Sequence, residues 1–149
     1  MKKYLALILC LQWGVAQAQL EEKEKADWQP IGKLKFGGIT KASLDYIAHG
    51  SDTSYLLLIK DVREQPEKNY FTIRFESVNN TFNKLYTLLK SFFLKENKGK
   101  DYTKTFILGT TNVNVQHKGL ITGKGIMFTT RDGYTYWDEK DVDKLFGKR

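Results

Sequence analysis

Residues 70–96 read YFTIRFESVNNTFNKLYTLLKSFFLKE, and the spacing of apolar residues changes once within this stretch. Phe71, Ile73 and Phe75 alternate with Thr72, Arg74 and Glu76. A period of two marks a strand with one wet and one dry face. From Phe82 the spacing becomes helical. At about 100° per residue, Phe82, Leu85, Tyr86, Leu89, Phe92 and Phe93 share one stripe, and Lys84, Thr87, Ser91 and Lys95 lie opposite. Asn79, Asn80 and Thr81 stand between the two rhythms, as side chains that cap a helix start. The pattern predicts a helix over about 80–96, ended by the polar stretch that holds Gly99.

Towards the N-terminus the period of two continues. Tyr55 to Ile59 is apolar throughout, as in a central strand covered on both faces. Ala42, Leu44 and Tyr46 alternate with Lys41, Ser43 and Asp45, and Leu34 and Phe36 alternate with Lys33 and Lys35. Gly37-Gly38 reads as a bulge or tight bend, residues 49–52 as a turn, and residues 62–69, with Pro66, as a polar loop. Towards the C-terminus come short strands at 105–108, around Val113 and Val115, and at 126–130. Asp132-Gly133 predicts a hairpin of type I′, which needs positive φ at both central residues. Tyr134 to Trp137 is its return strand. Asp138 then caps a short helix bearing Val142, Leu145 and Phe146, stopped at Gly147. Strands that follow one another without helical crossovers predict an α+β domain: a mostly antiparallel sheet of about six to eight strands, one long amphipathic helix on a face, and a short C-terminal helix.

The first 18 residues have the layout of an export signal. Lys2 and Lys3 precede an apolar run from Tyr4 to Val15, and Ala16-Gln17-Ala18 offers small residues to a signal peptidase. The run is too short to cross a bilayer, which takes about 20 residues. The expected organisation is a signal peptide at 1–18, a flexible segment at 19–27 and one domain at 28–149. The expected location is the periplasm or the exterior, with no transmembrane segment after cleavage. Cys10 is the only cysteine and leaves with the signal, so the mature chain has no disulfide, thiol nucleophile or thiolate metal site. Loss of Lys2 and Lys3 lowers the net charge from +7 to +5. That is a modest excess, read here as a lysine-biased surface and not as a nucleic-acid footprint.

No catalytic constellation emerges. His49 and His117 lack the spacing of a metal motif, and no G-x-S-x-G elbow is present. Gly119, Gly123 and Gly125 do not sit between a strand and a helix, where phosphate-binding loops occur. No cofactor or metal is expected. The residues left for binding are Tyr134, Tyr136 and Trp137, aromatic side chains suited to sugar or peptide contact, and the helix lysines Lys84 and Lys95, suited to an anionic surface. The reading is a non-enzymatic exported binding module with an envelope or protein partner. The alternatives are a small carboxylate- or His-dependent hydrolase, or a carrier of an apolar ligand between sheet and helix.

Leu89 sits at the middle of the helical stripe. Leu89→Ala is expected to cost about 2–5 kcal/mol of stability, read by chemical denaturation. A loss under about 1 kcal/mol would contradict its placement in the core.

Overall fold

The computed structural model describes residues 27–63, 69–97, 101–121 and 123–148. The leader and nearly all of the segment after it lie outside these residues. Eight antiparallel strands form two four-stranded sheets, each a simple meander. The first holds β1 (Gln29–Phe36), β2 (Ile39–His49), β3 (Asp52–Lys60) and β4 (Tyr70–Glu76). The helix α1 (Thr81–Ser91) leads to the second sheet, β5 (Thr103–Leu108), β6 (Thr111–Leu120), β7 (Gly123–Thr129) and β8 (Tyr134–Asp138), and α2 (Glu139–Leu145) follows. The fold is α+β, but with two sheets where the sequence predicts one. The connection through α1 is the reason: β4 and β5 are not paired, so the chain changes sheet at the helix.

The alternation in each strand supplies the core. Leu34, Ala42, Leu44, Leu57, Ile59, Ile73 and Phe75 from the first sheet meet Leu108, Val113, Val115, Ile126, Phe128 and Trp137 from the second. Along α1 and the turn after it the predicted stripe faces the core: Leu85, Leu89 and Phe92 are buried, and Phe82, Tyr86 and Phe93 are partly buried against it. Val142, Leu145 and Phe146 close it from α2. The aromatic rings form a continuous chain. Phe75 stacks on Tyr55 at 5.1 Å, Tyr55 on Phe82 at 5.0 Å, and Phe82 meets Phe146 at 5.2 Å. Lys90 Nζ donates to Glu139 Oε1 at 2.6 Å and to Asp143 Oδ2 at 3.1 Å, tying α1 to α2.

Three local expectations are corrected. The helix is shorter than predicted. It ends at Ser91, after which Phe93 N and Leu94 N bond three residues back, to Lys90 O and Ser91 O. The helix start is also built differently. No side chain caps it. Asn79 (φ 52°) and Asn80 (φ 61°) instead adopt left-handed backbone, which asparagine tolerates better than most residues. The third correction concerns Asp132-Gly133. The hairpin exists, but neither residue has positive φ, and the loop is closed by Thr130 N donating to Gly133 O. Gly133 is needed for space: a Cβ there would stand 2.7 Å from Asp61 Cγ and 2.8 Å from Phe71 Cε1. By contrast Asp138 behaves as expected, its carboxylate accepting from Asp141 N at 2.7 Å in a reciprocal cap.

Gly133→Ala is therefore expected to destabilise the protein by about 1–3 kcal/mol through overpacking. Gly119→Ala, whose added methyl meets open space, should be neutral or stabilising. Equal thermal stability of the two variants would contradict this packing.

Candidate binding site at the end of the first sheet

The turn joining β1 to β2 is Gly37-Gly38, with φ of 55° and 83°. Positive φ at both positions makes a tight hairpin that only glycine accommodates without strain. Phe36 and Ile39, the last strand pair before the turn, are 83% and 52% exposed. Val62 and Tyr70, from the loop after β3 and the start of β4, add exposed apolar surface at the same end. Tyr70 Oη donates to Thr40 O at 3.0 Å and fixes β4 to the hairpin. Lone exposed apolar residues are ordinary, whereas a cluster marks contact with something else. Beside this cluster lies an open cleft of about 530 Å³. Its apolar lining is Phe36, Ile39 and Val62. Its cations are Lys41, Lys60 and Arg63, and Asp61 and Asn69 complete the described part. Residues 64–68 lie outside the described residues.

The wall of the cleft is a polar clasp between the sheets. Val62 N donates to Tyr134 O at 3.1 Å, and Tyr134 N donates to Asp61 Oδ1 at 3.3 Å. Arg63 donates to the same carboxylate, from its backbone N to Oδ1 at 3.1 Å and from Nε to Oδ2 at 2.7 Å. Arg63 Nη2 reaches Asp132 O at 2.5 Å. Asp61 is 4% exposed. Its burial alone would raise its pKa, but the donors from Arg63 and Tyr134 outweigh that and hold it below the usual carboxylate value. Two of the three cleft cations are thus engaged, Arg63 by Asp61 and Lys41 by Asp141 at 2.7 Å. Lys60 and the exposed Lys33 and Lys35 of β1 form no ion pair among the described residues.

The residues singled out from sequence are distributed differently. Tyr134 and Tyr136 do share the outer face of β8, half-buried, with ring centroids 5.5 Å apart and Lys118 Nζ 5.7 Å from the Tyr136 ring. Burial and the neighbouring Tyr134 push the Tyr136 phenol above its ordinary pKa. Trp137 does not join that face. It is completely buried against Phe128, so it belongs to the core and offers no contact area. Alternation along β8 sends it inward. Lys84 lies exposed on α1 at the rim of a shallow hollow shared with Lys104, and Lys95 is exposed in the turn after α1. No contact joins either lysine to the tyrosines. His49 is exposed at the end of β2. His117 Nε2 lies 2.6 Å from Asn97 O, with its ring against Phe92. Among the described residues neither histidine bonds a carboxylate or a serine, and no group of three His, Cys, Asp or Glu side chains could share a metal ion.

Phe36, Ile39 and Asp61 escaped the sequence reading. Alternation placed Phe36 in a strand without showing that the strand runs past the sheet's cover. The available signal was local: FGGI puts two large apolar residues around a two-glycine turn, where polar residues are the rule. A scan against family models and searches of curated proteins and solved structures returned no significant match. The arrangement offers an apolar tip, an open cleft, and lysines that form no ion pair among the described residues.

Because Asp61 titrates below the unfolded value of about 3.9, its stabilising effect is complete above that pH and is lost as pH falls from there through the lowered folded-state value. Asp61→Asn is expected to cost about 2–4 kcal/mol at pH 7. The gap to the parent protein should narrow below about pH 4, measured by urea unfolding across pH 3–7. A gap that does not vary with pH would contradict the clasp.

Proposed function

We propose that the protein is an exported, non-catalytic binding module that engages a component of the cell envelope through the β1–β2 end of its first sheet. The observation that carries the reading is the exposure of Phe36 and Ile39 next to an open cleft, with Lys33, Lys35 and Lys60 forming no ion pair among the described residues. Large apolar side chains held out at a two-residue turn lose contact with water only when something covers them. The signal layout of residues 1–18 supports the envelope as the place. The carrier alternative is not adopted, because the aromatic stripe of α1 is packed into the core. The hydrolase alternative has no histidine, serine and carboxylate grouping among the described residues on which to rest.

The test introduces a photo-crosslinking phenylalanine analogue at position 36 of the full chain, or at exposed Thr87 on α1 as a control, and irradiates intact cells. The processed chain is expected to begin at Gln19 by mass spectrometry. Crosslinks to an envelope component are expected from position 36 and not from position 87. A cytoplasmic, uncleaved chain, or equal yields from the two positions, would overturn the reading.

A further inference from the structure

We infer that the component engaged by the β1–β2 tip is an anionic lipid surface, with Phe36 and Ile39 entering the boundary between headgroups and acyl chains. The inference rests on the binding-module reading and names its partner.

The tip is a short spike and not a groove. Phe36 and Ile39 face each other across the final register of the hairpin, and the two glycines beyond them add no side chain that would hold them back from a surface. Behind the spike stand Lys33 and Lys35 on β1 and Lys60 on β3, none of them neutralised by a described carboxylate. Apolar residues foremost with cations just behind them match the layering of an anionic membrane, where acyl chains lie under a sheet of phosphates. A folded protein partner would need a shaped counterpart to the spike. A lipid surface needs only depth and charge, both of which this tip has. Among the described residues no helix is long and apolar enough to cross a membrane. Two side chains make a small insertion, and binding through them is reversible and depends on the lysines.

Asp61 and Arg63 contribute indirectly. The clasp holds Asp61, Val62 and Arg63, just after β3, against β8, and Val62 lies beside the tip in the cleft lining. Tyr70 Oη, donating to Thr40 O at 3.0 Å, ties β4 to the hairpin itself, and a tip held in place loses less freedom on insertion.

A second apolar tip provides an internal control. Ile121, at the β6–β7 turn, is fully exposed between Lys118 and Lys124. The last strand pair at its turn is Leu120 with Gly123, so the two sides do not both carry a large apolar side chain as they do at Phe36 and Ile39.

The experiment is co-sedimentation of the purified processed chain with vesicles of phosphatidylethanolamine containing about 30% phosphatidylglycerol, against neutral phosphatidylcholine vesicles. Variants are Phe36→Ser with Ile39→Ser, Lys33→Glu with Lys35→Glu, and Ile121→Ser, each checked for unchanged thermal stability. The parent chain is expected to prefer anionic vesicles by about tenfold or more, and to lose that preference in high salt. The two tip variants are each expected to weaken binding by about tenfold or more, and Ile121→Ser to leave it unchanged. An environment-sensitive fluorophore attached at Phe36→Cys, the only cysteine in a chain that starts at Gln19, should shift its emission to the blue only with anionic vesicles. Equal sedimentation with both vesicle types, or a loss on Ile121→Ser but not on Phe36→Ser with Ile39→Ser, would overturn the inference. If vesicles fail while position 36 still crosslinks to an envelope protein, the lipid assignment falls and the binding-module reading stands. If both fail, the reading falls with it.

Discussion

Two sheets that are each dry on one side must share a single core. This constraint organises the molecule. A four-stranded meander with residues such as Leu44, Leu57 and Ile73 on one face cannot stand alone in water. The second meander offers the matching face through Val113, Val115, Ile126 and Phe128. With Cys10 as the only cysteine, no cross-link substitutes for that contact in the described domain. The helices follow from the same need. Each meander is succeeded by a helix, and the buried residues of both helices lie in the shared cluster. The order four strands then helix occurs twice, although the two halves show no repeat in sequence. What recurs is a packing solution and not a string of residues.

The core explains which parts of the fold were legible. Phe71, Ile73 and Phe75 announced a strand, and the stripe from Phe82 to Phe93 announced a helix, because periodicity reports directly on which side is dry. Asp138 announced a helix start because its cap is made within three residues. The number of sheets was not legible. Alternation states that a strand has a dry face but not which strand lies beside it or across from it, so β4 and β5 read as members of one sheet. Asn79 and Asn80 misled for a related reason: the same residue type serves as a capping side chain or as a left-handed backbone, and only the neighbouring turn decides. At Asp132-Gly133 the pattern reads the glycine as conformational freedom, whereas tertiary contact with Asp61, 72 residues earlier in the chain, requires it for space.

The candidate site was less legible than the fold, again for physical reasons. Tyr134 and Tyr136 stood out because aromatic residues are conspicuous, yet one aromatic neighbour, Trp137, belongs to the core. Phe36 and Ile39 gave no such signal, since apolar residues in an alternating run are ordinarily core. Their significance lies in what does not cover them. Asp61 looked like the end of a strand entering a polar loop. Its role as a buried acceptor joining two sheets depends on Tyr134 and Arg63, and sequence does not say that Tyr134 is near. A rigid clasp beside an uncovered apolar tip thus joins architecture to use: the core fixes the sheet, the sheet fixes the hairpin, and the hairpin presents its two apolar side chains outward.

The shared core is tested most directly by native-state hydrogen exchange resolved by mass spectrometry in increasing denaturant. If both sheets close one core, amides of β3 and β4 and those of β7 and β8 should open in the same cooperative transition, with one free energy and one denaturant dependence. Strands of one sheet exchanging freely while the other stays protected would show two separable units, and would contradict the structural basis for everything proposed about the tip.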